Sequence, residues 1–286
     1  MTRLVHLSDL HFGRHDPLVA QGLAEDIRVQ TPDLIVVSGD FTQIGSSREF
    51  AAAREFLDTL PAPVLSVPGN HDVPARNLLR RFLMPYRLYR RYISPDVEPF
   101  AVLGGVAIAG IKTSRRMRFE LNWANGSVSR GQLARLEARF ATAPPDAVRV
   151  VVAHHPLLAP EDSPAGIADQ HRVRRADLAL ETFARLGVRL VLSGHFHLSY
   201  VRRHEHTVPP LAASASSVAE GMPSGPREAA VAPILVAQAS STISTRLRGD
   251  LNAYNIVDIE GGVITIRVRE WHGEHWITRE EATAVA

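Results

Sequence analysis

The 286-residue sequence contains no cysteine. Disulfide bridges and thiolate metal sites are therefore excluded, and a bound metal would have to be held by His, Asp, Glu, Asn or backbone oxygen atoms. A chain without cysteine also suits a reducing compartment, so we expect a cytoplasmic protein.

Long apolar runs are missing as well. No stretch approaches the roughly 18 consecutive apolar residues of a membrane-spanning helix, and residues 1–7 lack the apolar core of a signal peptide. We therefore expect a soluble, unprocessed protein without a transmembrane segment. The sequence leaves homo-oligomer formation open.

Lysine is almost absent, because Lys112 is the single lysine among 32 basic residues. The formal net charge is only +2, which does not indicate the broad basic surface of a nucleic-acid-binding protein, so no nucleic-acid partner is expected. The planar guanidinium of arginine suits phosphate oxygens, and local arginine clusters are therefore candidate anion sites.

The length and a hydrophobic content of 45% are typical of one globular domain, taken here as residues 1–286. In the first two thirds, short apolar runs alternate with stretches of helical periodicity, which predicts a layered α/β domain. Strands are predicted at 3–7, 34–38, 64–67, 106–111, 148–153 and 190–192, and helices at 18–30, 46–60, 130–141 and 174–186.

The last third has a different pattern. Residues 208–233 are rich in Pro, Ala, Ser and Gly without a clear period, which predicts a long surface loop. Strands at 234–237, 254–259 and 263–269 follow without intervening helices, and 260–262 read as a tight turn. We therefore expect a C-terminal antiparallel β meander over 234–269.

Potential metal ligands follow five of the predicted strands at the point where each strand ends. Asp9 and His11 follow the first, Asp40 the second, Asn70 with His71 and Asp72 the third, His154 and His155 a later one, and His195 and His197 the last. Loops at the carboxyl ends of strands converge on one crevice of an α/β sheet. Imidazole and carboxylate donors without sulfur favour Mn, Fe, Zn or Ni over Ca or Mg, and a shared carboxylate can bridge two such ions.

Each motif alone has an ordinary structural explanation. An Asp after a strand is commonly a helix N-cap, and Asn-His-Asp is commonly a turn. Five such motifs, in order and each at a predicted strand end, rarely coincide by chance.

Together these residues resemble the pattern of the calcineurin-like metallophosphoesterase superfamily, D-x-H, G-D, G-N-H-D/E, H and G-H-x-H, across residues 9–197. The resemblance implies a four-layer αββα sandwich with two mixed β-sheets flanked by helices. It also implies a dinuclear metal centre. Asp9, His11, Asp40 and His197 would hold one ion, and Asp40, Asn70, His154 and His195 the other. His154 is preferred to His155 because this branch of the superfamily reads H-x-P at the fourth motif.

The resemblance further implies attack by a metal-bridging hydroxide on phosphorus. It places His71 beside the leaving-group oxygen as a proton donor, with Asp72 able to orient its ring.

Two features of the sequence limit the range of substrate classes. Gln43 and Ile44 stand where the protein Ser/Thr phosphatases of the superfamily have the Asp and Arg of G-D-x-x-D-R-G. Residues 6–13 and 67–74, and less specifically 238–249, look more like the bacterial class III cyclic-nucleotide phosphodiesterases and their glycerophosphodiesterase relatives. The leading hypothesis is therefore hydrolysis of a small phosphodiester such as 3',5'-cAMP.

A basic amphipathic stretch at 76–93, which contains six arginines, keeps an alternative open. We expect two short helices that cover the sheet with solvated arginines. The rival interpretation is a cap that binds an acidic lipid head group at a membrane surface. Such a cap would suit a pyrophosphohydrolase of a nucleotide-linked lipid precursor (UDP-diacylglucosamine type). A third hypothesis is a non-catalytic scaffold with the same fold, against which the intact ligand set weighs.

Overall fold

The computed structural model describes residues 1–74, 78–115, 125–158, 173–205 and 233–285. Twelve strands and six helices lie in these ranges. The strands are β1 Thr2–Leu7, β2 Leu34–Val37, β3 Val64–Ser66, β4 Phe100–Leu103, β5 Val106–Ile111, β6 Val148–Ala153, β7 Val188–Ser193, β8 Tyr200–His204, β9 Ile234–Gln238, β10 Ala253–Glu260, β11 Val263–Trp271 and β12 Trp276–Val285. The helices are α1 Pro17–Gln30, α2 Ser47–Leu57, α3 Leu78–Leu83, α4 Arg87–Tyr92, α5 Arg130–Phe140 and α6 Ala176–Arg185.

The strands form two six-stranded sheets, each of mixed direction. In the first, the order is β12-β11-β10-β1-β2-β3, with β1, β2 and β3 parallel and β10 to β12 antiparallel. In the second, the order is β4-β5-β6-β7-β9-β8, and the four inner strands are parallel. The parallel strands carry almost uninterrupted apolar runs because both of their faces are covered.

Three apolar clusters separate four layers. One lies between the two sheets and includes Val36, Val152 and Val257. A second packs the first sheet against α1, α2 and α4, and a third packs the second sheet against α5 and α6. The expected four-layer αββα sandwich is therefore confirmed.

Local sequence explains where the longer helices begin. The carboxylate of Asp16 accepts hydrogen bonds from the first backbone amides of α1. Ser46 and Ser129 form capping boxes with Glu49 and Gln132, which satisfy amide groups that would otherwise lack partners. Within the described ranges, no helix is long and apolar enough to cross a membrane.

The C-terminal third differs from the expected meander. Strand β9 lies in the second sheet between β7 and β8, so the antiparallel meander consists of β10, β11 and β12. Strands β4, β8 and β12 were not predicted. Each lies at the edge of a sheet, where the partial exposure of β4 and β8 and the polar residues of β8 and β12 remove the apolar pattern of a buried strand. The expected loop at 208–233 lies outside the described residues, apart from Pro233.

The arginine-rich stretch forms α3 and α4, and residues 76 and 77 at its start lie outside the described residues. Helix α4 packs on the first sheet through Tyr89, which is fully buried and whose hydroxyl lies 2.7 Å from Ser66 Oγ. Helix α3, in contrast, exposes Leu79, Phe82 and Leu83 to solvent. The two helices therefore differ, because only α4 has the buried apolar face of a structural cover.

This difference predicts unequal effects of truncation. Tyr89→Ala should lower the free energy of unfolding by about 3 to 5 kcal/mol, because it leaves a cavity and an unpaired Ser66 hydroxyl. Leu79→Ala, the matched change on α3, should alter it by less than about 0.5 kcal/mol. Urea unfolding monitored by circular dichroism measures both free energies. Equal losses of stability in the two variants would contradict the conclusion that only α4 is a structural cover.

Candidate metal centre

All seven expected ligands lie at one edge of the sandwich, just beyond the carboxyl ends of parallel strands. Sheet one supplies the residues that follow β1, β2 and β3, and sheet two those that follow β6 and β7. The two sets meet across the seam, where Asp40 Oδ2 lies 3.3 Å from His154 Nε2. Asp9 Oδ1 lies 3.4 Å from His197 Nε2. The site is therefore built jointly by the two sheets.

The backbone turns sharply at these strand ends. Five of the seven ligands have left-handed backbone conformations: Asp9 (φ 52°), His11 (48°), Asp40 (56°), His195 (77°) and His197 (61°). Residues other than glycine seldom adopt this backbone conformation, and each instance costs on the order of 1 kcal/mol. Clustering of such residues is typical of functional sites, where the surrounding structure holds them in place.

Two glycines allow the loops to approach each other. A Cβ atom at Gly69 would overlap the carboxylate of Asp40, and one at Gly194 would overlap Ser8 and Asp9. The amide of Gly194 also donates to His154 O at 3.0 Å. The glycines of the third and fifth motifs are thus required by the space around the carboxylates.

One half of the site contains Asp9, His11 and His197. His11 Nε2 lies 3.5 Å from Asp9 Oδ1, and the rings of His11 and His197 stack with centroids 5.2 Å apart. Both Asp9 Oδ1 and His11 Nε2 are buried, and neither has a hydrogen-bond partner among the described residues. Buried polar atoms are rarely left unpaired, so these two atoms fit a bound cation.

The other half contains Asn70, His154 and His195. His154 Nε2 lies 3.0 Å from Asn70 Oδ1, and its ring centroid is 5.2 Å from that of His195. Asp40 lies between the halves, since its Oδ2 is 3.3 Å from His154 Nε2 and 3.9 Å from His11 Nε2. The arrangement therefore fits two cations, with the carboxylate of Asp40 placed to contact both.

Main-chain carbonyl groups orient three of the imidazoles. Nδ1 of His154 donates to the carbonyl oxygen of Ser38 at 2.8 Å, and Nδ1 of His11 lies 3.2 Å from that of Thr42. Nδ1 of His197 lies 2.9 Å from the carbonyl oxygen of Arg246. Each contact leaves Nε2 as the metal-binding atom. Sequence reasoning missed these groups because a backbone carbonyl has no residue signature.

The geometry of this site agrees with a family model described as calcineurin-like phosphoesterase, which matches residues 2–199. The chain belongs to this family. It is accordingly a metal-dependent phosphoric ester hydrolase, and the hypothesis of a non-catalytic scaffold is not supported.

Two curated relatives are similar over most of the chain. The 3',5'-cyclic adenosine monophosphate phosphodiesterase CpdA of Escherichia coli (strain K12) is 28% identical over 223 residues, covering 68% of this chain and 69% of that protein. The glycerophosphodiester phosphodiesterase GpdQ of Enterobacter lignolyticus is 28% identical over 237 residues, covering 75% and 78%. Purple acid phosphatase PPD1 from yellow lupin shares the fold, with a TM-score of 0.61 at 12% identity. The match covers 99% of this chain and 53% of the lupin chain.

Asp9 and Asp40 of the phosphoesterase site are ionised and can therefore bind cations. Burial disfavours their charged forms, but His197 beside Asp9 and His154 beside Asp40 outweigh it, so the pKa of both carboxyls lies well below the usual range. Burial lowers the pKa of His154, but Asp40 raises it to about 9. A metal that binds His154 would therefore displace a proton.

His155 lies behind this site. Its ring centroid is 4.5 Å from that of His195, and its Nδ1 lies 2.7 Å from Thr113 Oγ1. His154, His155 and His195 also form one of the groups close enough to hold an ion. The contacts of His154 with Asp40 and Asn70 nevertheless favour His154 as the ligand.

His71 and Asp72 do not interact as expected. The His71 ring is oriented by Gln43, whose carbonyl oxygen lies 2.7 Å from Nδ1. Asp72 instead accepts hydrogen bonds from the amides of Thr42 and Gly69, at 3.0 and 2.9 Å. Burial raises the pKa of Asp72 to about 6, and Asp40 adds to the shift. Asp72 therefore ties two ligand loops together, and its assignment as the residue that orients His71 is wrong.

Six further histidines, at positions 15, 171, 204, 206, 272 and 275, have no spacing in the sequence that would mark them as metal ligands. Four of them are described, and none of these four belongs to a group of potential metal ligands. They are His15, His204, His272 and His275. His171 and His206 lie outside the described residues.

Removal of the shared carboxylate should empty the site at least in part. Asp40→Ala should lose one or both metal ions and abolish hydrolysis, because two cations at short range would repel without a shared anion. Asp258→Ala, which removes a carboxylate paired with Arg3 and Arg267 on β10, should keep both ions. Elemental analysis of the purified proteins decides, and an Asp40→Ala protein with two ions and undiminished turnover would refute the assignment.

Proposed function

We propose that the chain is a phosphodiesterase for small diesters, with a 3',5'-cyclic nucleotide as the leading substrate. The observation that carries this proposal is the set of seven convergent ligands with Asp40 between the two halves. The substrate class is supported by the similarity to CpdA and GpdQ, both of which are named as phosphodiesterases. Gln43 and Ile44, which replace the protein-phosphatase signature, agree with it.

The ligand set suits two ions such as Mn, Fe or Zn, because it combines imidazole with carboxylate and amide oxygens. One ion would be held by Asp9, His11, Asp40 and His197, and the other by Asp40, Asn70, His154 and His195. When bound, such a metal pair activates water and neutralises charge on phosphoryl oxygens.

We assign His71 to the departing oxygen. Its ring lies edge-on to His11, with centroids 4.9 Å apart, and Gln43 fixes its Nδ1, so that Nε2 is the ring nitrogen that would serve the leaving group. Burial lowers the pKa of His71 below its usual value, and the nearby Asp40 carboxylate offsets only part of this shift. A bound phosphate anion would act in the same direction as Asp40 and favour a proton on Nε2, which the leaving alkoxide can accept.

Location and domain organisation stay predictions. The absence of cysteine favours a cytoplasmic protein, and residues 1–286 are expected to form a single domain.

A substrate panel tests the proposed class. The Mn-loaded protein should hydrolyse bis-p-nitrophenyl phosphate and at least one 3',5'-cyclic nucleotide with a kcat/KM about tenfold or more above that for p-nitrophenyl phosphate. Glycerophosphodiesters and a UDP-linked lipid complete the panel. Preference for the monoester over every diester would overturn the proposal.

The exposed side of α3 favours one second candidate, hydrolysis of a nucleotide-linked lipid. Leu79, Phe82 and Leu83 are exposed, and Leu83 lies close to Arg87 and Arg90 of α4. A cavity of about 530 Å³ opens there and is lined by Leu83, Met84, Pro85, Tyr86, Arg87, Arg90, Val97 and Lys112. Apolar side chains with adjacent cations suit an acidic lipid.

Charge reversal separates the two candidates. If α3 and α4 grip a lipid-linked substrate, Arg87→Glu combined with Arg90→Glu should raise KM for that substrate alone, and added salt should weaken the difference because exposed charges are screened over about 8 Å at physiological ionic strength. For the proposed small-diester enzyme, we expect unchanged KM values for cyclic nucleotides and no selective loss on the lipid.

A further inference from the structure

Residues 239–252, the segment between β9 and β10, contact the ligand loops although they contain none of the five ligand motifs. The amide of Thr242 donates to Ser8 O at 3.0 Å, and that of Thr245 donates to Arg14 O at 2.8 Å. Nδ2 of Asn252 donates to the carbonyl oxygens of Ser241 and Ser244, at 3.0 and 2.9 Å. The segment is thus fixed to the loop that carries Asp9 and His11.

Arg246 contacts two motif histidines, one through its main-chain carbonyl group and the other through its side chain. Its carbonyl oxygen accepts from His197 Nδ1, and its guanidinium Nη1 lies 3.2 Å from His71 Nε2. A guanidinium only donates hydrogen bonds, so Nε2 of His71 is the acceptor in this contact. The side chain therefore occupies the side of His71 that the proposed reaction needs for the leaving group.

A second arginine lies nearby on the same segment. Arg248 is exposed, whereas Arg246 is half-buried. Arg246 is therefore the arginine of this segment that the structure places at the ligand cluster.

Neither guanidinium forms an ion pair in the part of the chain that the structure describes. A half-buried cation without a carboxylate partner attracts an anion that can reach it. Arginine forms paired hydrogen bonds with phosphate oxygens, which gives geometric selectivity as well as charge.

We propose that Arg246 binds the phosphate oxygens of the substrate, and that its side chain turns from His71 Nε2 to the anion when substrate enters. The proposal rests on the proposed phosphodiesterase function. It makes Arg246 a residue that touches substrate and frees Nε2 of His71 for the leaving oxygen. The anions that Arg246 would bind are phosphate diesters, the monoester product and inorganic phosphate.

The test uses three single variants of the full-length, Mn-loaded protein. Arg246→Gln keeps a hydrogen-bond donor for His71 but removes the charge, whereas Arg246→Lys keeps the charge without the planar fork. Leu247→Ala, a change at the exposed residue between the two arginines, is the matched control. The carbonyl group that holds His197 is present in every variant, so each should retain two metal ions.

We expect Arg246→Gln to lower kcat/KM for bis-p-nitrophenyl phosphate by roughly 10- to 100-fold, the range of a lost charge-assisted hydrogen bond. The inhibition constant of inorganic phosphate should rise by about tenfold or more, Arg246→Lys should recover part of both losses, and Leu247→Ala should stay within about twofold of wild type.

Unchanged phosphate inhibition in an Arg246→Gln protein that retains both metals would overturn the inference. Loss of metal from that variant would also overturn it, since Arg246 would then act through the ligands. If wild-type protein cleaves no diester at all, the proposed function fails, and direct phosphate binding measured by calorimetry still decides the role of Arg246.

Discussion

Two buried carboxylates at the seam of the sandwich are the constraint on which the rest of the structure depends. Asp9 and Asp40 are at most 1% exposed, and buried charge is costly unless it is compensated. Compensation comes from histidines on both sheets, above all His154 and His197 from the second sheet. The same carboxylates that would hold metal ions therefore also join the two halves of the fold, and their environment keeps them ionised.

The left-handed backbone at five ligands follows from this arrangement. A strand that ends in a right-handed or extended residue would carry its side chain away from the seam, whereas the sharp turn keeps both members of D-x-H and H-x-H at the site. The local cost is offset by backbone hydrogen bonds between the loops, such as that from the His11 amide to Asp40 O at 2.9 Å. The glycines of the motifs provide the space that this packing needs.

The ligands could be predicted from sequence because each is a polar residue at the end of a buried apolar run. Edge strands such as β8 lack that contrast. The partner of a strand has no local signature either, which is why β9 was wrongly predicted to belong to the C-terminal meander. Asp72 was misassigned because adjacency in sequence to His71 does not imply contact, and its carboxylate turns toward backbone amides instead. Arg246 lies in the 238–249 stretch of the resemblance, but its role could not be predicted, since its contacts with His71 and His197 arise only when a distant segment folds over the site.

Anomalous diffraction from crystals of the Mn-loaded protein, collected at the manganese absorption edge, would locate the bound ions. We expect two peaks per chain, one among Asp9, His11 and His197 and one among Asn70, His154 and His195, with Asp40 in contact with both ions. A single peak, or a peak coordinated by His155 in place of His154, would contradict this expectation.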